Sequence, residues 1–590
     1  MKRSEIDEKF KWDLTKIYLT EEDFVNDYNH AKTLIPSLSN YKDLFLQNEN
    51  IFIEFMQLVE TILRSIDKMY CYAHLSLDVE PENPTFQNNY SMVSSLLDQY
   101  NTTAVFIDLE ILKNSEKALA IIKTDKAKQY TKFVTDILRT KPHIASEEVE
   151  NVLAMASDVL QNSYETYSSI RLDFNPVIID GKEHFLNQET LLEFLKNENE
   201  DIRKQAYENL YSQYKKFSNV FANTLAGTIK KDVFYSKVRN FDTPLEFSIF
   251  NDAAPKELFY KVLDMANNKY HSYLLDYVEL RKEVLDKEKL EIYDMNLPLA
   301  TPPDTNYSLD TAFDLIFKAT ENFGEEYRSI LEKARDERWV DYYTHEGKRH
   351  GAYSSGCYDA NPYILMSFLD NMESVFTLAH ELGHSVHTYL SSKNQPFISH
   401  DYKIFVAEVA STVNENLLMN LLLKTATTKE EKLYLLARKI DAFIGCNYRQ
   451  PFFANFENIL HERILNGEGL SNQYMTNLYE DLTKEYWGDS VNLSELTKYS
   501  CYSVPHFYYN YYVYKYTIGM CVSSVLANRI SDGNTEQIQK YLNFLKSGCS
   551  KDPIELLSDA GCNPLDDSLY ETAFNDFKKL LDEFRNLISQ

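Results

Sequence analysis

The five residues His380-Glu381-Leu382-Gly383-His384 concentrate more chemistry than any other stretch of the sequence. On a helix, positions i and i+4 share a face, so His380 and His384 can reach one zinc ion. Glu381 lies about 100° round the helix from His380, beside such an ion rather than on it. That position suits a general base that takes a proton from a water activated by the metal. Val375, Phe376, Leu378, Ala379, Leu382 and Val386 surround the motif. Their spacing predicts a buried helix, and histidines inside one need partners that a metal supplies. The competing reading is a solvated helix face. His387 is three residues further on, but it stands about 10.5 Å along the axis from His380, too far for one ion to bind both. It is expected to pack or to support a ligand.

A third ligand must come from elsewhere. In IFVAEVASTVNENLLMNLLL (404–423) an acid, Glu408, follows Ile404, Phe405 and Val406 and precedes Val409. This pattern predicts a buried carboxylate, which needs a cation or donors. Glu408 is therefore either the third ligand or half of a buried ion pair. Glu415 is two turns further along the same face. It is either an acceptor for a ligand histidine or a structural ion-pair partner.

A second cluster, CYSVPHFYYNYYVYKY (501–516), holds His506 and seven tyrosines. Phenol hydroxyls and a histidine N–H are suitable donors to the oxyanion of a tetrahedral intermediate. Tyrosine also serves as bulk on an amphipathic helix, and most of the seven are expected to do that.

These residues have to be positioned by helices. The chain has 590 residues, with 15 Gly and 16 Pro. That is about 5%, against roughly 12% in average usage, so elements are few and long. Residues 50–79, 84–115 and 146–168 carry helical apolar spacing and read as an N-terminal bundle. Asp180-Gly181 in PVIIDGKEHFL (176–186) reads as a hairpin turn. Helical pattern runs from about 188 past 235, again over 308–337, and from 370 to the end. Residues 338–366 read as extended. A domain boundary is expected near 190, giving 1–190 as a helical domain and 191–590 as the domain that carries the motifs.

The net charge is −28. Such a chain repels phosphate backbones, so no nucleic acid is expected as partner. No apolar run reaches the length of a membrane span. The N-terminal MKRSEIDEKFKWDL has no apolar core of a signal peptide, and the seven cysteines form no CxxC. The expected compartment is the cytoplasm.

HELGH, FVAEVAST and HFYYNYYVYKYTIG together resemble the thimet-oligopeptidase-like zinc peptidases, and more closely their oligoendopeptidase F branch. ERWVDYY (337–343), KRHGAYSSGCYDANPYILMSF (348–368), KNQPFISHDYKIFVAEVASTVNE (393–415), NYRQPFFANFE (447–457), KWDLTKIY (11–18) and LDFNPVIIDGKEHFL extend the resemblance over nearly the whole chain. It implies a mainly α fold with a gluzincin-type HExxH helix, two lobes about a deep central channel and a small sheet near the zinc. It implies one zinc ion on His380, His384 and Glu408, with Glu381 as the catalytic base. It also implies His506 and Tyr514 as transition-state donors, with Tyr508 and then Tyr511 as the next tyrosines in line. Gly351, Ala352 and Tyr353 fall in the segment that lies along the bound peptide, and Tyr511 joins them as a substrate contact. The implied activity is endopeptidase cleavage of short unfolded peptides. The alternatives are a zinc carboxypeptidase, in which Arg449 would grip the free carboxylate, and a non-catalytic peptide-binding protein. Oligomeric state is not legible.

Overall fold

The computed structural model describes residues 2–303 and 305–590. The fold is mainly helical with three small sheets among the described residues. The chain divides into two compact units, each made of three segments. One comprises residues 1–142, 304–421 and 523–563, the other residues 143–303, 422–522 and 564–590. Among the described residues no helix is long and apolar enough to cross a membrane.

The first unit grows from the helix Glu49–Val79, which Asn48 caps by accepting from the Ile51 N–H at 3.1 Å. Phe52, Phe55, Met56, Val59, Ile62, Ile66 and Met69 recur at three- and four-residue spacing and are all buried. They join one hydrophobic cluster with Val93 and Leu96 of the helix Pro84–Ala104. The predicted extended region supplies a three-stranded sheet. Val340–Asp341 runs parallel to Tyr363–Leu365, and Tyr353–Ser355 runs antiparallel to it on the other side. Tyr353–Ser355 is thus an edge strand. A wholly buried lysine fixes the loop between them. Lys348 Nζ donates to Asp341 Oδ1 at 2.7 Å and to the carbonyls of Met366 (2.7 Å), Tyr343 (2.9 Å) and Asp341 (3.0 Å). Burial pushes its pKa down, and Asp341 opposes that shift.

The second unit is built from Glu147–Ser169, Ser218–Val238, Lys429–Ile444, Gln450–Leu465 and Asp567–Ile588, with shorter helices between. The hairpin falls where Asp180-Gly181 put it, pairing Val177–Ile179 with Lys182–His184, and both turn residues have positive φ (50° and 76°). The pattern from 188 onward is three helices, Gln188–Leu195, Glu200–Lys216 and Ser218–Val238. The pattern over 308–337 is two, broken at Gly324, whose φ of 80° a helix cannot hold. Residue 190 does not divide the compact units, because the second one runs from 143 through 303 without interruption. Tyr167 before that point stacks on Tyr508 at 4.1 Å and meets Phe221 edge-on at 6.0 Å, so side chains on both sides of 190 share one core.

Replacing Lys348 with Met leaves Asp341 with Arg3 as its ion-pair partner at 2.7 Å and empties four hydrogen bonds. Breaking a buried pair in this way costs about 3–5 kcal/mol. A lowered thermal midpoint is expected; an unchanged midpoint would mean that the lysine does not hold the sheet.

Candidate metal centre

The motif lies on the helix Met372–Asn394, whose first turn Asn371 caps by accepting from the Ser374 N–H at 2.9 Å. Val375, Phe376, Leu378, Ala379, Leu382 and Val386 are all buried, as their spacing predicts. The helix Ile404–Thr425 crosses it closely. A Cβ on Gly383 would meet the Ser411 Cα at 2.7 Å and the Ala410 carbonyl oxygen at 2.8 Å. Glycine is therefore required at this position by contact rather than by backbone angle. Asn414, itself buried, ties the same two helices by donating to the Ala379 carbonyl at 3.1 Å, and it accepts from the Tyr327 hydroxyl at 2.7 Å.

The crossing brings three donor atoms to one point. The Nε2 atoms of His380 and His384 are 3.2 Å apart. Glu408 Oε2 is 3.4 Å from the first and 3.6 Å from the second. For bonds near 2.1 Å in a tetrahedron, ligand atoms are separated by about 3.4 Å. The three residues therefore fit a single metal ion without rearrangement. His380 Nδ1 donates to Glu415 Oε1 at 2.6 Å, which fixes the tautomer and leaves the Nε2 lone pair for a metal. Glu415 stands where the two-turn spacing put it.

The electrostatics favour a positive charge at this point. Burial alone would lower the His380 pKa, yet the Glu408 and Glu415 carboxylates beside it carry it up to about 10. Burial would raise Glu408, but the two histidines hold its carboxyl well below the usual range. Glu381 is buried and its Oε2 has no hydrogen-bond partner. Burial, with Glu408 and Glu415 nearby, pushes its pKa up against the opposing pull of both histidines.

One expectation changes and one holds. Glu408 is not buried: its side chain is 50% exposed, because Phe405, Val406 and Val409 turn inward while position 408 falls on the open strip between them. Its charge is held by the histidines and by the Ser411 hydroxyl, which donates to Oε2 at 3.1 Å. His387 packs, as expected. It is 1% exposed and stacks on Tyr402 at 3.7 Å and 7°.

The edge strand borders this centre. The Ser354 hydroxyl lies 2.8 Å from that of Ser385, the residue after His384. Sequence reasoning passed over both serines; their small size beside the motif was the available signal. Tyr353 donates its hydroxyl to Asp78 Oδ2 at 2.8 Å. Gly351 and Ala352 lead into the strand, and Gly351 is exposed with a φ of 93°.

The tyrosine-rich segment lies in the second unit. His506 is half-buried, and its ring stands among those of Tyr509 (5.6 Å), Tyr512 (6.2 Å) and Tyr516 (6.4 Å). Burial lowers its pKa. Tyr508, Tyr511 and Tyr514 are in a different environment. The Tyr508 hydroxyl bonds that of Thr224 at 2.8 Å, and Tyr511 donates to Asn458 Oδ1 at 3.1 Å. Tyr514 is 0% exposed against Phe259, and its hydroxyl is buried without a partner. All three side chains are buried within the second unit. Asn510 (φ 48°) and Tyr511 (φ 54°) are both left-handed, so the helical pattern is interrupted within this segment.

The pattern of Peptidase family M3 matches residues 193–576, and that of Oligopeptidase F matches residues 110–172. Oligopeptidase PepF of Bacillus subtilis is 36% identical over 99% of this chain and 88% of its own length. A crystal structure from Chlamydophila abortus superposes with a TM-score of 0.93 at 29% identity, covering 99% of each chain. Oligoendopeptidase-F of Enterococcus faecium superposes with a TM-score of 0.73 at 28% identity, covering 96% of this chain and 99% of that one. The chain belongs to peptidase family M3, and it is a peptidase.

Gly383→Ala adds the methyl group that the crossing excludes. Overpacking of this kind costs about 1–3 kcal/mol, and here the strain falls between the helices that carry the candidate metal ligands. A lower thermal midpoint is expected together with weaker metal retention on dialysis against a chelator. Retention equal to that of the unmodified protein would separate the crossing from the metal centre.

Proposed function

We propose that the protein is a zinc-dependent endopeptidase of short, unfolded oligopeptides, the activity class named for its PepF and oligoendopeptidase F relatives. The observation that carries this reading is the convergence of His380, His384 and Glu408 beside an unpartnered, buried Glu381 carboxylate. Zinc suits two imidazoles and one carboxylate, and when bound it supplies Lewis acidity that polarises a carbonyl and draws the pKa of a water toward roughly 7. Glu415 keeps the His380 ring oriented through Nδ1.

Glu381 is the proton carrier in this reading. A carboxylate without hydrogen-bond donors, raised by burial, is a stronger base than one in water. It accepts the proton of the attacking water on Oε2 and delivers it to the amine that leaves. Tyr353–Ser355 offers its free edge to an extended peptide, which would add as a further strand next to the motif helix. His506 remains the donor assigned to the oxyanion. Its partner is drawn from Tyr509, Tyr512 and Tyr516, which share its surroundings, rather than from Tyr514.

Glu381→Gln keeps the size and removes the base. Zinc content near one per chain is expected, with hydrolysis lower by about three orders of magnitude or more. Hydrolysis at the original rate would sink the assignment. Peptides blocked at both ends test the bond that is cut. Their cleavage at an internal bond is expected, while release of single C-terminal residues from unblocked peptides alone would make the enzyme a carboxypeptidase.

A further inference from the structure

The second unit contains a cavity of about 260 Å³ that the reaction described above does not use. Its walls include Tyr207, Tyr211, Phe452, Phe453, Tyr479 and Trp487. Arg449 is the one charged side chain among its lining residues. Among the described residues the exposed Arg449 side chain makes no hydrogen bond and no ion pair. Its charge is nevertheless felt inside the cavity. Burial raises the phenol pKa values of Tyr211, Tyr479 and Tyr486, and the guanidinium opposes each shift. Asp441 also feels that charge, but its carboxylate accepts from the Tyr277 hydroxyl at 3.0 Å instead of pairing with Arg449.

The backbone sets this arginine apart as well. A π-helical turn, Gly445–Arg449, joins the helix Lys429–Ile444 to the helix Gln450–Leu465, and Arg449 is its last residue. Such turns are less regular than the α-helix around them and recur at binding sites. The Arg449 guanidinium is exposed beside these aromatic rings, and no protein acceptor occupies its planar fork, which matches a carboxylate. Whole drug-sized ligands occupy about 300–1,000 Å³, so this cavity suits one residue rather than a whole peptide.

We propose that the cavity binds the C-terminal carboxylate of a peptide whose last side chain is aromatic or large and aliphatic. The carboxylate lies on Arg449 and the side chain lies against the aromatic wall. This rests on the peptidase reading and deepens it, because it names a free C-terminus as part of what is recognised. It governs binding of the peptide and not the choice of bond.

Calorimetry on the full chain tests this without any hydrolysis. N-acetyl-L-phenylalanine is expected to bind one to one, and N-acetyl-L-phenylalaninamide at least about tenfold more weakly, as loss of a charged hydrogen-bond partner implies. Arg449→Gln is expected to abolish that preference at an unchanged thermal midpoint. Equal binding of acid and amide, binding of neither, or a preference that survives in the variant would each overturn the proposal. If the variant fails to fold, the acid–amide comparison on the unmodified protein decides alone. Acid-selective binding in a protein that cleaves no peptide would count against the peptidase reading and leave the carboxylate site standing.

Discussion

The metal centre depends on how closely two helices cross. The backbone at Gly383 lies against Ser411 and Ala410 with no room for a methyl group. That closeness is what lets a side chain on the second helix, Glu408, come within 3.4 Å and 3.6 Å of the two histidines on the first. Asn414 fixes the slide of one helix along the other, and Ser354 anchors the edge strand to the residue after His384. The sheet is in turn held by a lysine with no exposure to solvent. The centre is thus positioned by direct contact at each step, from glycine to helix to strand.

The charges at the centre are arranged at a cost. Glu408 and Glu415 flank His380, and Glu381 adds a third carboxylate nearby. These carboxylates raise the pKa of the His380 imidazole against the opposing effect of burial, so the site favours a positive charge there. A metal ion at this point relieves the same repulsion. Affinity for a metal is then set partly by carboxylates that never touch it.

Much of this was legible in the sequence because helical periodicity fixes which residues share a face. His380, His384 and Glu381 follow from spacing alone, and so does Glu415, two turns beyond Glu408. The exposure of Glu408 was not legible, since its apolar neighbours report the burial of adjacent strips rather than its own. The burial of Tyr508, Tyr511 and Tyr514 was not legible for a different reason. Asn510 and Tyr511 adopt left-handed backbone angles, and no periodicity carries across such a break. Nor does local sequence record which helices pack together over hundreds of residues, so a boundary near 190 looked reasonable and the compact units follow a different division.

The discontinuity of the first unit has a consequence for synthesis. His380, His384 and Glu408 all lie in its middle segment, yet its third segment starts only at Ser523. That last segment braces the centre: Phe544 packs on His387 at 5.3 Å, and the Tyr541 hydroxyl reaches the Ala410 carbonyl at 3.5 Å. At about 5–20 residues per second, the ribosome still needs roughly 8–30 s after His384 has emerged to deliver these braces. During that interval the histidines and carboxylates exist on a chain whose scaffold is unfinished. An ion held by His380, His384 and Glu408 would therefore be acquired late, once the third segment has joined the unit.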